Sequence, residues 1–198
     1  MTTSEIHERL KQRFGDAVAA LGEPRIDPSC VVKADRIVEI GRFLRDEPGI
    51  EVDYLQDLTA VDWPKRNVIE VVYHLFSFPR RHGIVLKVEA DRAAPTVPTV
   101  EGLWKSANFM EREVYDLFGV QFPGHPDLRR ILLPDDWVGW PLRKDYQEAG
   151  GYHGVPNLRE NPLVELRRLD VARMAEVAKQ APPTAPTTAP PPPASPKA

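Results

Sequence analysis

The stretch "NVIEVVYHLFSFPRRHGIVLKVEA", residues 67–90, carries the clearest structural pattern in the chain. In its first half every second residue from Ile69 to Leu75 is apolar, as expected for a strand that buries one face. Residues 84–90, after the turn at 79–83, alternate in the same way. The close spacing of the two runs predicts an antiparallel β-hairpin.

The residues before the hairpin predict helices and a further strand. Helical spacing of apolar residues over Ser4–Leu21 predicts a first helix that Gly22 ends. Residues 29–34 predict a short strand that contains the cysteine. Asp35 is in position to cap a second helix that ends at 48–49, where a proline and a glycine follow one another.

Two more elements complete the order. Alternation within Ile50–Pro64 predicts another strand, and residues 98–119 predict a third helical region. Thr99 can cap the start of that region, and Asn108 with Glu111 offers a second capping box, which predicts a kinked or two-part helix. The whole order indicates an α+β fold, in which helices pack on one face of a mostly antiparallel sheet.

Regular patterning stops after the third helix, where prolines and glycines interrupt the chain. Fully extended, the 29 residues of 119–147 would span roughly 95 Å, far more than the roughly 35 Å width of a compact body of about 120 residues. The last eighteen residues contain eight prolines and predict disorder. The predicted organisation is an α+β domain at 1–118, an extended partner-binding arm at 119–147, a short and partly helical segment at 148–180 with its helix around 164–179, and a disordered Pro/Ala-rich tail at 181–198.

Composition excludes several classes of protein. The net charge of −3 provides no basic field for nucleic acid. Cys30 is the single cysteine, which rules out an internal disulfide and a zinc ribbon or iron–sulfur cluster held by this chain alone. The N-terminal residues lack the apolar run of a signal peptide, and no stretch approaches the ~20 apolar residues of a membrane span. We therefore expect membrane association only through partners.

The residues that could carry chemistry lie close together at the end of the third helix. Glu111, Glu113 and Asp116 could serve as acid or base beside His125. His125 with Asp127, Asp135 and Asp136 could supply ligands to a metal site. No HExxH-type spacing defines a metal geometry, and a salt-bridged helix surface that includes Arg112 is the predicted arrangement. A free-standing acid–base or metal enzyme remains the alternative to a binding protein.

The arm has the composition of a binding surface. It combines aromatic and arginine side chains of the types that dominate protein interfaces. These side chains are Trp137, Trp140, Tyr146, Arg129, Arg130 and Arg143. Irregular backbone also leaves polar groups that need partners when buried. We expect the arm to lie on another protein, with the alternative that it wraps only its own domain.

Residues 111–132, "EREVYDLFGVQFPGHPDLRRIL", and residues 139–146, "GWPLRKDY", resemble a known family. They are similar to the signature of the C subunit of NADH-quinone oxidoreductase, the thirty-kilodalton-type subunit of respiratory complex I. The signature residues and the expected subunit interface are Glu111, Arg112, Glu113, Asp116, His125, Pro126, Asp127, Arg129, Trp137, Pro141, Arg143, Lys144, Asp145 and Tyr146.

The resemblance implies a non-catalytic peripheral-arm subunit on the cytoplasmic face of the bacterial inner membrane. It implies that the arm packs against the D subunit of complex I, which helps to form the quinone site, and that this chain has no catalytic, cofactor-binding or metal-binding residues of its own. The holoenzyme would use FMN, iron–sulfur clusters, NADH and quinone, and would couple electron transfer to proton translocation. The equivalent subunit of a membrane-bound hydrogenase or of another complex-I-like dehydrogenase is the alternative.

Overall fold

The residues that the computed structural model describes are 1–22, 28–156, 171 and 173. Residues 1–148 form one compact unit, and the residues from 149 onward belong to a second. The predicted tail at 181–198 lies outside the described residues. So does the helix predicted around 164–179, apart from two isolated positions.

A five-stranded sheet runs through the first unit in the spatial order β1-β2-β5-β4-β3. Its strands are β1 (Val18–Leu21), β2 (Ser29–Val32), β3 (Tyr54–Trp63), β4 (Val68–Ser77) and β5 (His82–Asp91). Strands β4 and β5 pair antiparallel along their whole length, which confirms the predicted hairpin. The pairs β3–β4 and β1–β2 are also antiparallel, whereas β2 and β5 run parallel.

One face of this sheet supports the core. In β4 the residues Ile69, Val71, Tyr73 and Leu75 are buried, as the alternation predicts. They share one apolar cluster with side chains of the three helices, which are α1 (Thr3–Phe14), α2 (Ile37–Asp46) and α3 (Ala107–Phe118). Because alternate strand residues face opposite sides, all three helices pack on the same face. The α+β prediction with a mostly antiparallel sheet is confirmed.

The prediction of a first helix reaching Leu21 is wrong in its last turns. Helix α1 ends at Phe14, and Gly15 follows with a φ of 53°, outside the helical region. A short 3-10 turn then leads into Val18–Leu21, which forms strand β1. The hydrogen bonds that β1 makes with β2 decide its conformation, and these non-local bonds outweigh the local helical spacing.

The predicted helix starts are also wrong. A 3-10 turn at 34–36 precedes α2, and Asp35 provides no side-chain cap for the helix. Helix α3 is a single helix that starts at Ala107 without a side-chain cap, so the two-part helix does not form. The hydroxyl of Thr99 points instead to the carboxylate of Glu111, in the middle of α3.

The predicted strand after α2 begins later than its pattern suggests. Ile50 and Val52 are buried in the loop before β3, which starts at Tyr54. The Val52 N–H donates to the carbonyl of Leu44 at the end of α2, at 2.9 Å. Side chains of Ser77 and His82, in β4 and β5, also bond to the Glu51 and Ile50 carbonyls of this loop. Its residues are nevertheless not part of strand β3, although its apolar residues alternate in burial.

The described part of the second unit contains a small hairpin. Strand β6 (Gly151–Tyr152) pairs antiparallel with β7 (Val155–Pro156). Two residues with positive φ, His153 and Gly154, form the turn between them.

Candidate subunit interface

The arm, residues 119–147, begins as a continuation of the core. Its Gln121 pairs with the loop that precedes α3, where the Val97 N–H donates to the Gln121 carbonyl at 2.9 Å. The Gln121 N–H in turn donates to the carbonyl of Pro95 at 2.8 Å. Phe122 is buried in the core. The first residues of the arm are therefore held by their own unit.

Asp116 of α3 is the main anchor of the middle of the arm. Its carboxylate is buried, and Oδ2 accepts the backbone N–H groups of Ile131 (3.0 Å), Leu132 (2.7 Å) and Leu133 (3.0 Å). Its Oδ1 accepts a bond of 2.9 Å from the Arg130 guanidinium. Three successive amides converging on one anion form a backbone nest, so this irregular segment has one defined conformation.

The electrostatics of this anchor favour the charged carboxylate. Burial acts to raise the pKa of Asp116, but the three backbone N–H groups and Arg130 outweigh it and leave the pKa below its ordinary value. Because the pKa of Asp116 is lower in the folded than in the unfolded chain, its charged carboxylate stabilises the fold at pH values above the unfolded-state pKa. This stabilisation is lost as pH falls through the folded-state pKa. The arm is thus held by an ionised Asp116 at neutral pH.

The ring of Trp140 covers the end of α3. Gly119 ends that helix with a φ of 76°, and a Cβ added there would lie 2.5 Å from Cε2 of Trp140. Both the backbone conformation and the space require glycine at this position. The Arg130 guanidinium lies 4.8 Å from the centre of the Trp140 ring, in a cation–π contact.

The end of the arm is tied down by Arg143 and Lys144. Nε of Arg143 donates to the carbonyl of Phe118 at 2.7 Å, and its Nη1 donates to the carbonyl of Arg92 at 3.2 Å. The Lys144 N–H donates to the buried carboxylate of Asp62, at the end of β3, at 2.8 Å. Arg143 therefore satisfies two carbonyls of its own chain.

Arg92 completes this attachment by binding two carboxylates. Its guanidinium is bidentate to Asp62, at 2.6 and 2.9 Å, and its Nη2 also donates to Asp145 at 2.6 Å. Bonding to Arg92 is the main cause that lowers the pKa of Asp62, and bonding to the two carboxylates raises the pKa of Arg92. One cation thus joins the sheet to the end of the arm.

His125 connects the arm to α3 through both ring nitrogens. Nε2 lies 3.1 Å from the carbonyl of Asn108, and Nδ1 accepts the backbone N–H of Asp127 at 3.0 Å. A carbonyl only accepts and an N–H only donates, so the proton is on Nε2 and the ring is neutral. The imidazole side chain is fully buried.

Glu111 lies beneath the loop that pairs with the arm. Its carboxyl group is buried, with Oε1 accepting the Val100 N–H at 2.8 Å and Oε2 bonded to the hydroxyl of Thr99. Burial raises the pKa of Glu111 to about 7, helped by the charge of Glu101, while the two hydrogen bonds act in the lowering direction. Burial is the largest of these effects.

The prediction of a salt-bridged surface on α3 is wrong, because Glu111, Arg112 and Asp116 are all buried. They are covered by the arm and by the loop before α3, and the Arg112 guanidinium lies 3.6 Å from the Asp127 carboxylate. The predicted site residues that remain exposed are Glu113, Pro126, Asp127, Arg129, Lys144 and Asp145. Those that are half-buried are Trp137, Pro141, Arg143 and Tyr146.

The structure therefore groups the predicted residues into two anchors, one around Asp116 and one around Arg143. Both anchors lie against the folded unit, and the second also uses residues that sequence reasoning missed. Asp62 and Arg92 lie at the ends of β3 and β5, 82 and 51 residues before their partners in the arm. Their local sequence carries no signal of this role, since an acid or base at a strand end is ordinarily a surface residue.

The arm exposes several large apolar side chains, whereas its Arg130 and Arg143 side chains bind inward. Its exposed large apolar residues are Ile131 (36%), Leu132 (61%), Val138 (84%) and Leu142 (47%). Exposed apolar side chains gathered on one irregular segment are typical of a surface that another protein covers. The alternative prediction, that the arm wraps only its own domain, accounts for the inward contacts but gives no reason for the exposed apolar side chains.

Other kinds of site are less well supported within residues 1–22 and 28–156. No three His, Cys, Asp or Glu side chains are grouped there as metal ligands. A surface cleft between α1 and α2 is lined by Arg13, Phe14, Arg42 and Phe43, none of which belongs to α3 or the arm. No helix among the described residues is long and apolar enough to cross a membrane.

Comparison with known proteins gives a consistent result. The family described as respiratory-chain NADH dehydrogenase, 30 Kd subunit, matches residues 30–152. A protein of Roseiflexus sp. (strain RS-1), named as the C subunit of NADH-quinone oxidoreductase, is 47% identical over 146 residues, which are 73% of this chain and 84% of the relative. The protein of the same name from Moorella thermoacetica is 52% identical over 126 residues, 63% of this chain and 84% of the relative.

Two solved structures share the fold. One chain of a membrane-bound sulfane sulfur reductase, an archaeal respiratory membrane complex, superposes with a TM-score of 0.62 at 28% identity over 73% of this chain and 85% of that one. A trypsin-resistant fragment of Nqo5 superposes with a TM-score of 0.52 at 30% identity over 62% of this chain and 98% of the fragment.

Proposed function

Because the chain belongs to the family of the 30-kDa subunit of respiratory-chain NADH dehydrogenase, we propose that it is a non-catalytic peripheral-arm subunit of a proton-translocating NADH:quinone oxidoreductase. In this role its arm lies against the D subunit, which helps to form the quinone site. The chain then holds the D subunit in position relative to the cluster-bearing subunits. The names of its relatives support the type of complex, and the geometry of the arm supports the role.

The observation that carries this proposal is the division of the arm into an anchored inner side and an apolar outer side. Asp116, Arg143 and Asp62 hold the backbone, so the arm loses little conformational freedom when a partner binds it. Leu132 and Val138 are exposed on its outer side. Burying each of these side chains against a neighbour would contribute about 1.5–3 kcal/mol.

We propose that the FMN, the iron–sulfur clusters, NADH and quinone of the holoenzyme are bound by other subunits. Cluster ligation needs cysteine thiolates, and the single cysteine of this chain, Cys30, is buried in β2. Burial raises its pKa to about 12, so it stays a protonated thiol. The residues present therefore do not fit a cluster site, and the contribution of this chain is the position of its neighbours.

The proposed location is the cytoplasmic face of the bacterial inner membrane, with attachment to the membrane through partner subunits. We infer this location from the family to which the chain belongs. Its observable consequence is that the chain should leave the membrane fraction when its partner subunits are absent.

A second candidate is the equivalent subunit of another complex-I-like membrane complex. The similarity to a chain of the sulfane sulfur reductase favours this possibility, because the same fold serves in a complex of different name. Higher identity to proteins named as the C subunit of NADH-quinone oxidoreductase favours the first candidate. Purifying the chain with its native partners distinguishes them, since a flavin-containing, NADH-oxidising module should be present only in the first case.

The experiment that tests the proposal changes the outer side of the arm in the assembled enzyme. A variant carrying Leu132→Asp and Val138→Asp should be incorporated at least tenfold less well, because two buried carboxylates without partners would each oppose binding. The complex that does assemble should keep its turnover per molecule. Co-purification with the D subunit measures the first quantity, and NADH:quinone activity normalised to flavin measures the second.

The matched control is Phe78→Asp. Phe78 is as exposed as Leu132, at 61%, but lies at the turn between β4 and β5. It should have no effect on incorporation. Normal incorporation of the arm variant, or normal incorporation with lost turnover, would contradict a scaffolding role for this surface.

A further inference from the structure

Two buried carboxyl groups of helix α3 have opposite surroundings. Asp116 receives three backbone N–H groups and the Arg130 guanidinium. Glu111 has no exposed surface either, but its hydrogen-bond partners within the described chain are one backbone N–H, from Val100, and one hydroxyl, from Thr99. A buried carboxylate is costly without a cationic partner, and Asp116 has such a partner.

Among the described residues, the one basic side chain within 4.0 Å of the Glu111 carboxyl group is His125. Its ring cannot act as a cation here without losing a bond. The Asp127 N–H donates to Nδ1, and a proton on Nδ1 would remove that acceptor. The contact between His125 and Glu111 is therefore between a neutral imidazole and a carboxyl group.

The remaining described neighbours, Tyr73 and Glu101, add no positive charge beside Glu111. Tyr73 of β4 is buried, and within the described chain its hydroxyl has no hydrogen-bond partner. Burial raises the pKa of Tyr73, and the proximity of Glu111 adds to this effect. Glu101, in the loop before α3, adds a like charge. The strand, the loop and the arm thus each present a neutral or acidic group to Glu111.

We infer that Glu111 is carried as a neutral carboxylic acid in the folded chain, and that its ionisation loosens the two loops that cover it. These loops, residues 95–101 and 121–125, are bonded to each other through Val97 and Gln121. They include the first residues of the arm. The packing of the first arm residues against α3 therefore depends on pH near neutrality.

The direction of this dependence follows from linkage. The pKa of Glu111 is about 7 in the folded chain, against an ordinary value of 4.5. Between those values the folded form keeps a proton that the opened form has lost, so stability of the closed loops falls as pH rises. With these two values, opening of the loops should become about tenfold more favourable from pH 6 to pH 8.5.

The first test is a carbon NMR titration of the full-length chain labelled at the side-chain carboxyl groups of glutamate. Glu111→Gln identifies the resonance by its disappearance. The Glu111 signal should titrate near pH 7. A Glu111 midpoint below about pH 5, within the ordinary range of glutamate, would overturn the inference, and this result needs no variant that alters folding.

The second test is amide hydrogen exchange at Val97, Val100 and Gln121, corrected for the intrinsic effect of pH. Protection of these amides should fall about tenfold between pH 6 and pH 8.5 in the natural chain. Glu111→Gln should abolish the pH dependence, and Glu113→Gln, an exposed acid of the same helix, should retain it. Equal pH dependence in the two variants would overturn the inference.

Discussion

Replacing Asp116 with asparagine removes one negative charge from the point where the arm meets helix α3. The shape of the side chain is kept, and its oxygen can still accept the amides of residues 131–133. Its NH₂ group would face the Arg130 guanidinium, so two donors would meet where a charged pair existed. The substitution therefore tests the charge of the anchor with little change in packing.

The size of the effect follows from the bonds that change. Three hydrogen bonds to an anion become bonds to a neutral acceptor, a loss of about 1 kcal/mol each. Arg130, whose side chain is 12% exposed, loses its carboxylate but keeps the Trp137 and Gly139 carbonyls as acceptors at 3.2 and 3.4 Å. The total expected loss is about 3–5 kcal/mol. The free energy needed to release the arm from the folded unit sets the upper limit of this loss.

Hydrogen exchange and urea unfolding together measure this prediction. In Asp116→Asn the amides of 131–133 should lose at least about 100-fold of their protection, which corresponds to roughly 3 kcal/mol. Glu113→Gln is the control, because Glu113 is an exposed acid of the same helix, and it should cost less than about 1 kcal/mol. Full protection of residues 131–133 in Asp116→Asn would refute the view that this carboxylate orders the arm.

Three further variants test other contacts. Arg143→Ala should destabilise the chain by about 1–3 kcal/mol in urea unfolding, since the carbonyls of Phe118 and Arg92 lose their donor, and an unchanged midpoint would argue against that attachment. Gly119→Ala should cost at least about 2 kcal/mol and shift the fluorescence of Trp140, because the new Cβ would lie 2.5 Å from the ring; an unshifted spectrum with normal stability would contradict the packing. Because the pKa of Glu111 is raised, the natural chain should lose about 2 kcal/mol of stability from pH 5.5 to pH 8.5. Glu111→Gln should not show this loss. If the stability of the natural chain and that of the variant changed with pH in parallel, the linkage would be excluded.

The parts of the fold that the sequence predicts correctly are those decided by neighbouring residues. The alternation from Ile69 to Leu75 and its repeat after the turn allow one pairing that buries the apolar face, and that hairpin forms. Residues 18–21 show where local reasoning fails. Their spacing fits a helix, but their hydrogen bonds with β2 determine a strand.

The sequence predicts where along the chain the candidate site lies, but not the contacts that form it. The change to proline-broken chain after Gly119 and its aromatic and arginine content indicate a special segment. The inward attachment depends on contacts such as Asp62 with Lys144, 82 residues apart, which no periodicity can reveal. Burial of Glu111 and Asp116 is equally hidden, because a charged residue on a helix is ordinarily exposed and the cover here comes from irregular segments before and after the helix.

The central claim is that the outer side of the anchored arm faces another subunit. Replacing Val138, which is 84% exposed, with a photoreactive amino acid in the assembled complex tests this claim most directly. Irradiation should cross-link the chain to the D subunit, whereas the same photoreactive residue in place of Phe78 should not. Absence of any cross-link from position 138 to another chain, in a complex that is fully assembled, would contradict the account.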